Sequence, residues 1–250
     1  MKTTLIGIPR GWHLLPVFDS INSTNTWLKQ NAASLNDRTI LIAREQSEGR
    51  GRNERRFHSA KGKGLYLSLL LKPDAGTLSF SKMTALSALA LQRAIRESCQ
   101  LECQIKWVND LLYQDHKIAG ILCESLYQGN APAAFIIGFG VNVFSQTFPA
   151  MEQNRPGSIA DFSIIPPSMD SLTVALLHQM DDCLRRIDDP ALMQEYKKHC
   201  CSLKRTILVK EAKQTYEAYA EDIDDDGRLI IVHDNERKRL YSGEISIRMI

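Results

Sequence analysis

The sequence lacks any apolar stretch long enough to cross a membrane, because its longest apolar runs, at 65–71 and 134–144, fall well short of the roughly 20 residues that a spanning helix needs. The first residues show neither the apolar stretch nor the cleavage site of a signal peptide. Internal repeats are missing, and the 14 glycines and 9 prolines are too few for a collagen-like or low-complexity chain. We therefore predict a cytoplasmic protein without membrane contact.

Cysteine is present, but its pattern indicates neither a disulfide framework nor a zinc site. No two cysteines have C-x-x-C spacing, and His199 beside Cys200 and Cys201 has no second cluster of ligands. A chain of this size does not need disulfides to stabilise its core, and nothing in it marks export. We predict buried, reduced thiols at all six positions, which are Cys99, Cys103, Cys123, Cys183, Cys200 and Cys201.

The sequence lacks a large excess of charge of either sign. The 250 residues contain 31 basic and 29 acidic side chains, a net charge of +2, so the chain is not a polycation of the kind that wraps nucleic acid. Its 44% hydrophobic content is typical of a globular protein with a core and excludes intrinsic disorder. Any anion-binding function must therefore depend on a local concentration of charge.

Mixed helical and strand periodicities predict an α+β fold, in which a mixed β-sheet packs with helices. Predicted helices cover 23–33, a long segment that begins at Ser79, 169–187 and 191–200, and predicted strands cover 39–43, 65–71, 104–107, 111–113, 117–126 and 135–144. From about Thr206, short β-type runs with turns between them predict a small β-barrel. We place the domain boundary near Lys204, between a main domain at 1–203 and a small domain at 204–250.

The segment 44–63 concentrates positive charge in a loop that contains glycine. It has seven basic residues against three acids, and Gly49 and Gly51 lie beside Arg50 and Arg52. Glycine lets the backbone approach a ligand closely, while guanidinium groups reach phosphate or carboxylate oxygens. A solvated basic loop without a ligand and a nucleic-acid contact are the alternatives, and the loop alone does not decide between the three.

The segment 106–122 places two ammonium groups, an amide and a carboxylate within a short stretch, at Lys106, Asn109, Asp110 and Lys117. The Asn-Asp pair is compatible with a plain turn. Lys117 begins an apolar strand, where a lysine usually extends towards solvent. If its side chain instead faces a cleft, it can stabilise a developing anion.

A later apolar strand ends in GFGVN, with Gly138, Gly140 and Asn142. Two glycines at alternate positions are compatible with a tight crossing of the strand by other parts of the protein. They are also compatible with close approach of the backbone to a flat ligand. The pattern leaves both interpretations open.

Taken in order along the chain, these segments resemble the biotin protein ligases. The family motifs GRGRxGRxW, KWPND and G-I-L are similar to GRGRNERRF at 49–57, KWVND at 106–110 and KIAGIL at 117–122. The family's Ser-Thr-Asn, glutamine, G-x-G-x-N and C-terminal signatures are similar to residues 23–25, Gln46, residues 138–142 and SGEIS at 242–246. The resemblance covers nearly the whole chain, and an ordered set of matches is more specific than any one of them.

Three residues depart from the family pattern. Glu54 stands where the loop has glycine, and puts a carboxylate near the expected phosphate. Phe57 stands where a tryptophan is expected to pack near adenine, so the aromatic area is smaller. Val108 replaces the proline before Asn109 and removes a restraint on φ. These departures concern fine geometry and affinity, and leave the reaction class unchanged.

The resemblance implies a class II synthetase-like catalytic domain that binds biotin and ATP, followed by a small SH3-like β-barrel. It implies that the biotin carboxylate attacks the α-phosphorus of ATP, which gives biotinyl-5′-adenylate and diphosphate. A lysine of a biotin carboxyl carrier domain, from acetyl-CoA carboxylase or a related carboxylase, then takes the biotinyl group. Mg²⁺ would accompany ATP and be held largely by its oxygens. The resemblance leaves open whether the protein forms a homodimer, because family members self-associate through a sheet edge.

The resemblance also implies three sets of site residues, none of which holds a metal. The catalytic set is Lys117, Arg50, Arg52 and Asp110. The biotin-binding set is Ser23, Thr24, Gln46, Gly49, Arg50, Lys117 and Gly120. The set for ATP and the adenylate is Arg52, Arg55, Phe57, Lys106, Asn109 and Asn142. Asp110 is expected near the second step, where it orients the incoming lysine or accepts its proton.

Other functions remain open at this point. A lipoate or octanoate ligase or transferase of related fold is the enzymatic alternative, which the arginine-glycine loop disfavours. An RNA-binding protein is the alternative from another class, but it needs aromatics among the basic residues, and only Phe57 lies in the loop. Many members of the family carry a DNA-binding domain ahead of the Ser-Thr-Asn motif. The segment before Ser23 is too short for one, so we expect no repressor function and no DNA contact.

Overall fold

The protein is described by a computed structural model that covers residues 5–53, 55–72, 79–128, 131–149, 155–211, 214–241 and 246–249. Its α-helices within these ranges are α1 (Thr24–Asn31), α2 (Phe80–Cys99), α3 (Met169–Arg185) and α4 (Pro190–His199). The strands are β1 (His13–Leu14), β2 (Thr39–Ala43), β3 (Gly64–Leu71), β4 (Gln104–Lys106), β5 (Asp110–Tyr113), β6 (His116–Gln128), β7 (Ala131–Asn142), β8 (Arg155–Pro156), β9 (Arg205–Lys210), β10 (Thr215–Ile223), β11 (Leu229–His233), β12 (Glu236–Leu240) and β13 (Ser246–Met249).

The first eight strands form one mixed sheet in the order β1-β2-β3-β7-β6-β5-β4, with β8 beside β6. The pairs β1–β2 and β6–β8 are parallel, and the other neighbours are antiparallel. The interior strand β3 is buried along its whole length, because helices cover both faces of the sheet at that point. The predicted mixed sheet packed with helices is confirmed.

The two faces of the sheet have different partners. On β3, Leu65, Leu67 and Leu69 belong to the large core that includes α2, whereas Leu70 packs in a smaller cluster with Leu28 of α1. Side chains alternate between the faces of a strand, so Ser68 shares the α1 face with Leu70. The α1 face therefore carries polar as well as apolar groups, and it is the face on which the pocket described below opens.

The long helix α2 joins the sheet to the remaining helices. Ser79 caps it by accepting a hydrogen bond from the amide of Lys82, as predicted from the sequence. Arg93 of α2 is 8% exposed and donates from Nε to Oε1 of Glu195 in α4 at 2.8 Å, and from Nη1 to Asp182 of α3 at 3.2 Å. A buried guanidinium is tolerated only when it is paired in this way.

The last five strands form a second, antiparallel sheet in the order β12-β11-β10-β9-β13. This confirms the predicted small C-terminal β domain, although the hydrogen-bonded ladder of the described strands runs from one end to the other without closing into a ring. Hydrogen bonds from three side chains of the first domain reach it, among the described residues. Nε1 of Trp107 donates to the carbonyl of Gly227 at 3.1 Å, Oγ of Ser79 to the carbonyl of Asp226 at 3.0 Å, and Nζ of Lys197 to Oδ2 of Asp222 at 3.2 Å. The boundary at 203/204 stays a prediction.

Most predicted elements are present, with small shifts at their ends. The strand predicted at 104–107 ends at Lys106, and the helix predicted at 169–187 ends at Arg185. The sequence missed β1, β8 and β12, because the first two are too short to show alternation and β12 is mostly exposed. Glu54 and positions 242–245 of the SGEIS match lie outside the described residues.

Burial agrees with the prediction for every cysteine except Cys201, which is half-buried. All six are free thiols, and five are buried. Burial raises the pKa of Cys103, Cys123 and Cys200 to about 12, which keeps these thiols protonated. Among the described helices, none is long and apolar enough to span a membrane.

Candidate active site

A cavity of about 160 Å³ opens on the α1 face of the first sheet, between the start of α1, the loop 44–63 and strands β6 and β7. That volume is larger than the volume of several water molecules, so the cavity can admit part of an organic ligand. All the predicted site residues except Gly49 line it: Ser23, Thr24, Gln46, Arg50, Arg52, Arg55, Phe57, Lys106, Asn109, Asp110, Lys117, Gly120 and Asn142. Four stretches that are distant in sequence, at 23–24, 46–57, 106–120 and 142, therefore form one pocket.

Lys117 faces this pocket and not bulk solvent. Its Nζ lies 2.7 Å from Oδ1 of Asp110, and the two side chains are 22% and 15% exposed. A Cβ added to Gly120 would lie 3.2 Å from Nζ of Lys117 and 3.4 Å from Oδ1 of Asp110, so glycine leaves room for the ion pair. The alternative that Lys117 extends outward is wrong.

Two arginines of the loop reach the same pocket. Nη1 of Arg52 donates to Oδ1 of Asn109 at 3.1 Å, and Asn109 donates from Nδ2 to the carbonyl of Ile121 at 2.9 Å. Nη1 of Arg50 lies 3.2 Å from Oε1 of Glu124 on β6. Asn109 and Asp110 lie at the turn into β5, so the plain-turn interpretation describes their backbone while their side chains belong to the pocket.

Burial perturbs two of the cations. Loss of solvent lowers the pKa of Arg52, an effect that Asp110 opposes. Loss of solvent also lowers the pKa of Lys106, where Asp110 again opposes the shift and Lys117 adds to it. Partly desolvated cations around few carboxylates are stabilised by an incoming anion, which is the electrostatic character expected of a phosphate or carboxylate site.

A buried polar network lies at the start of α1. The amide and Oγ1 of Thr24 donate to Oε1 of Gln46 at 2.9 and 3.0 Å, and Nε2 of Gln46 donates to Ser59 at 3.0 Å. Oγ of Ser68 lies 2.7 Å from Oγ1 of Thr24 and 2.6 Å from Oδ1 of Asn25. Ser23 caps the helix through the amide of Thr26. These groups can exchange partners with a polar, uncharged ligand head.

Side chains of the same protein occupy the space next to Gly138 and Gly140 of β7. A Cβ on Gly138 would lie 2.3 Å from Oδ1 of Asn25, and one on Gly140 would lie 2.7 Å from the ring of Phe57. Both distances are too short for any other residue to fit without displacement. Tight crossing by other parts of the protein therefore accounts for the two glycines, and the crossing groups, Asn25 and Phe57, are themselves lining residues of the pocket.

The basic loop folds into a hydrogen-bonded hairpin. The amide of Gly51 donates to the carbonyl of Arg55 at 2.7 Å, and the amide of Phe57 to the carbonyl of Gly49 at 2.8 Å. Gly49 lies behind the pocket wall, where a Cβ would meet the carbonyl of Phe57 at 2.4 Å. The loop therefore has an ordered backbone in its described part, and these hydrogen bonds do not test the alternative of a solvated basic loop without a ligand.

Two residues hold backbone around the pocket. Asn142 is 4% exposed and donates from Nδ2 to the carbonyls of Gly157 at 3.1 Å and Lys117 at 3.3 Å. Val108, which replaces the family's proline, is buried, and its carbonyl accepts a hydrogen bond from Oη of Tyr196 at 3.3 Å. Contact between Asn142 and adenine stays a prediction.

Sequence reasoning assigned no role to several residues at or next to the pocket, among them Asn25, Glu124 and Lys210. Asn25 was noted within a motif but given no role, and Glu124 shares a strand face with Gly120 and Leu122, so alternation along β6 could have found it. Lys210 lines the pocket from β9 of the second sheet, and no local pattern could have found it. Among the described residues no cluster of three or more His, Cys, Asp or Glu side chains could hold a metal.

The fold and the cationic pocket together define a protein ligase that activates a carboxylic acid. Residues 17–142, just over half the chain, match the model of the biotin/lipoate A/B protein ligase family. Residues 204–248 match the biotin protein ligase C terminal domain. The chain belongs to the biotin/lipoate A/B protein ligase family, and within that family it is a biotin protein ligase.

Individual relatives agree with this assignment. The chain is 28% identical over 242 residues to the biotin–[acetyl-CoA-carboxylase] ligase of Mycobacterium tuberculosis, a match that covers 92% of this chain and 88% of that protein. It is 26% identical over 253 residues to the bifunctional ligase/repressor BirA of Bacillus subtilis, covering 99% of this chain and 76% of that protein.

A solved structure, the biotin protein ligase from Aquifex aeolicus in complex with biotin and ATP, superposes with a TM-score of 0.82. The superposition covers 95% of this chain and 99% of that chain, at 22% identity. At this identity the likeness shows the fold.

Proposed function

We propose that the pocket binds biotin and ATP side by side and joins them into biotinyl-5′-adenylate, from which the biotinyl group passes to a lysine of a biotin carboxyl carrier domain. The observation that carries this proposal is the convergence of Lys117, Arg50 and Arg52 on one pocket from separate segments of the chain. Next to these cations lies the uncharged network of Thr24 and Gln46, which suits the ureido head of biotin because each of its polar atoms needs a partner when buried.

In the first step, a carboxylate oxygen of biotin attacks the α-phosphorus of ATP, and the bond from that phosphorus to the diphosphate oxygen breaks. Two anions must approach each other. At about 4 Å and an effective dielectric constant near 20, each pair of unit charges repels by about 4 kcal/mol. We assign Lys117 to contact both anions and Arg50 and Arg52 to hold phosphate oxygens. Asp110 holds the Lys117 ammonium in place through their 2.7 Å contact.

We assign the nucleotide to Lys106, Asn109, Arg55 and Phe57. All four line the pocket, and the ring of Phe57 offers a face to adenine. The hairpin of the loop covers the adenylate and excludes water, which would otherwise hydrolyse the anhydride. Lys210 adds a further cation from the second sheet.

In the second step, the amine of the acceptor lysine attacks the carbonyl carbon of the anhydride, and AMP leaves with the bonding electrons. The amine must lose a proton to attack. Asp110 is the carboxylate that lines the pocket among the described residues, so we assign it to orient the amine or accept its proton. We propose a carrier domain of acetyl-CoA carboxylase or a related carboxylase as the partner, which docks by strand addition at a sheet edge.

Magnesium enters as part of the nucleotide substrate. The pocket offers Asp110 and the amide oxygen of Asn109, but among the described residues no larger cluster of acidic, histidine or cysteine ligands comes together. This fits a metal that keeps most of its contacts with phosphate oxygens and water, and the ion would neutralise part of the phosphate charge. Cytoplasmic location, a homodimer and the lack of a DNA-binding role stay predictions.

Biotin-dependent exchange between ATP and labelled diphosphate tests the first step, and transfer of labelled biotin to a purified carrier domain tests the second. We expect exchange with biotin and little with lipoate, which separates the biotin and lipoate branches of the family. Exchange with lipoate but not biotin would refute the substrate assignment. Salt-sensitive retention of RNA without ATP turnover would favour the RNA-binding alternative.

A further inference from the structure

One carboxylate lies behind the pocket wall and contacts two residues that form the wall. Glu124 is on β6, its side chain is 15% exposed, and it does not itself line the pocket in the described part of the chain. Its Oε1 lies 3.2 Å from Nη1 of Arg50, and its Oε2 accepts a hydrogen bond from Nδ2 of Asn25 at 3.1 Å. Glu124 therefore reaches the site only through these neighbours.

Of the two wall residues, Arg50 is the one whose side-chain position depends more on the contact with Glu124. Its side chain is 47% exposed and projects from the loop hairpin, so without a contact it would sample many rotamers in water. Arginine loses much conformational entropy on ordering, and a group that is ordered before the ligand arrives does not lose that entropy on binding. The ion pair with Glu124 thus places the guanidinium at the wall in advance.

The contact also leaves Arg50 able to bind an anion. A guanidinium has five N–H groups, and the ion pair engages Nη1, so the group keeps donors for ligand oxygens. A second cation, Lys29 of α1, lies with its Nζ 3.5 Å from the same Oε1, but it does not line the pocket. One carboxylate thus holds one cation that faces the site and one that does not, which provides a matched control.

We propose that Glu124 is a positioning residue for the activation of biotin, and that it acts by holding the Arg50 guanidinium at the pocket wall. The inference rests on the proposed function. Glu124→Gln is the informative variant, because glutamine keeps the side-chain volume and an oxygen that accepts from Asn25 but lacks the charge that holds Arg50. Glu124→Asp keeps the charge on a shorter side chain.

The test measures kcat/KM for biotin in biotin-dependent diphosphate exchange by the whole purified chain. We expect Glu124→Gln to lower kcat/KM roughly fivefold, the upper range for a partly exposed charge pair. Glu124→Asp should recover part of the loss, and Lys29→Met should leave kcat/KM unchanged. In an Arg50→Ala background, Glu124→Gln should have no further effect, because the residue through which it acts is gone.

Three results would overturn the inference while the wild-type chain is active. They are an unchanged kcat/KM in Glu124→Gln, a loss of the same size in the Arg50→Ala background, and a loss of the same size in Lys29→Met. The last two would show that Glu124 acts through α1 or general stability, which thermal melts of each variant measure independently. Lack of exchange in the wild-type chain would instead overturn the proposed function, and this inference with it.

Discussion

The ammonium of Lys117 and the carboxylate of Asp110 form an ion pair of 2.7 Å inside the pocket, although both groups have access to little solvent. The register explains this contact, because Asp110 on β5 lies opposite Gly120 on β6, and a bulge between Leu111 and Leu112 shifts the pairing before Lys117. Glycine at position 120 leaves the space that the two side chains fill. The pocket therefore holds its central cation in place before any substrate is bound.

The first prediction concerns that cation. Lys117→Met keeps much of the side-chain volume but removes the charge that is assigned to both the biotin carboxylate and the α-phosphate. Loss of one such preorganised contact is expected to lower the rate of biotin-dependent diphosphate exchange by roughly 10²–10³. Lys198→Ala, at an exposed position of α4, is the control and should exchange normally. A folded Lys117→Met protein with near-normal exchange would remove Lys117 from the mechanism.

The second prediction concerns the loop as a cover. Arg52 joins the hairpin to Asn109, so Arg52→Ala should open the pocket and release adenylate to water. A hydrogen bond to a charged group contributes about 1.5–3 kcal/mol, so we expect adenylate leakage at least about tenfold faster. Quenched samples taken over time measure the leakage, with Arg44→Ala at the exposed start of the loop as control. Equal leakage from Arg52→Ala and the control would show that the hairpin is not a cover.

The third prediction concerns the contact between Gly140 and Phe57. A methyl group at position 140 would lie 2.7 Å from the phenyl ring, so Gly140→Ala must displace the ring from the pocket wall. Overpacking of this kind costs about 1–3 kcal/mol. We expect the KM for ATP to rise about tenfold, since 1.4 kcal/mol corresponds to a factor of ten.

A double variant provides the control for Gly140. In a Phe57→Ala background the ring is absent, so adding Gly140→Ala should change the KM for ATP little further. If the two effects are instead additive, Gly140 acts on the site by a route other than Phe57.

The fourth prediction concerns pH. Burial lowers the pKa of Lys106, so this ammonium loses its proton at a lower pH than an ordinary lysine as the pH rises. Binding of ATP should therefore weaken on the alkaline side, and Lys106→Arg should extend binding to higher pH, because a guanidinium keeps its proton there. Measurement of the KM for ATP between about pH 7 and pH 10 checks this. If the KM for ATP depends on pH in the same way in the wild-type protein and in Lys106→Arg, Lys106 does not cause the weaker binding at alkaline pH.

Much of the fold could be predicted from local patterns. The cap at Ser79 and the apolar periodicity of α2 indicated the long helix, and the buried run at Thr39–Ala43 indicated β2 with its observed bounds. The short strands β1 and β8 could not be predicted, because two residues show no periodicity and their pairing depends on the neighbouring strand. The order of the strands likewise depends on long-range pairing.

The candidate site, like the fold, has features that could be predicted from the sequence and features that could not. The types of side chain and their membership in motifs were visible in the sequence, which is why nearly all the predicted residues line one pocket. The direction of Lys117 was not visible, because a lysine at the start of a strand can face either side, and the bulge in the β5–β6 pairing was needed to decide it. Nor was it visible that Gly138 and Gly140 accommodate Asn25 and Phe57 of the same chain.

By itself the sequence determined which cationic, amide and hydroxyl groups are available for chemistry, because their number and type are independent of how the chain folds. Only the tertiary structure decided which of these groups act together. Strand register placed Lys117 against Asp110, and strand alternation placed Glu124 behind Arg50. The packing of the second sheet on the first brought Lys210 to the pocket wall. The contacts of Glu124 and Lys210 join residues far apart along the chain, and they form only when the apolar faces of the sheets and helices are buried together.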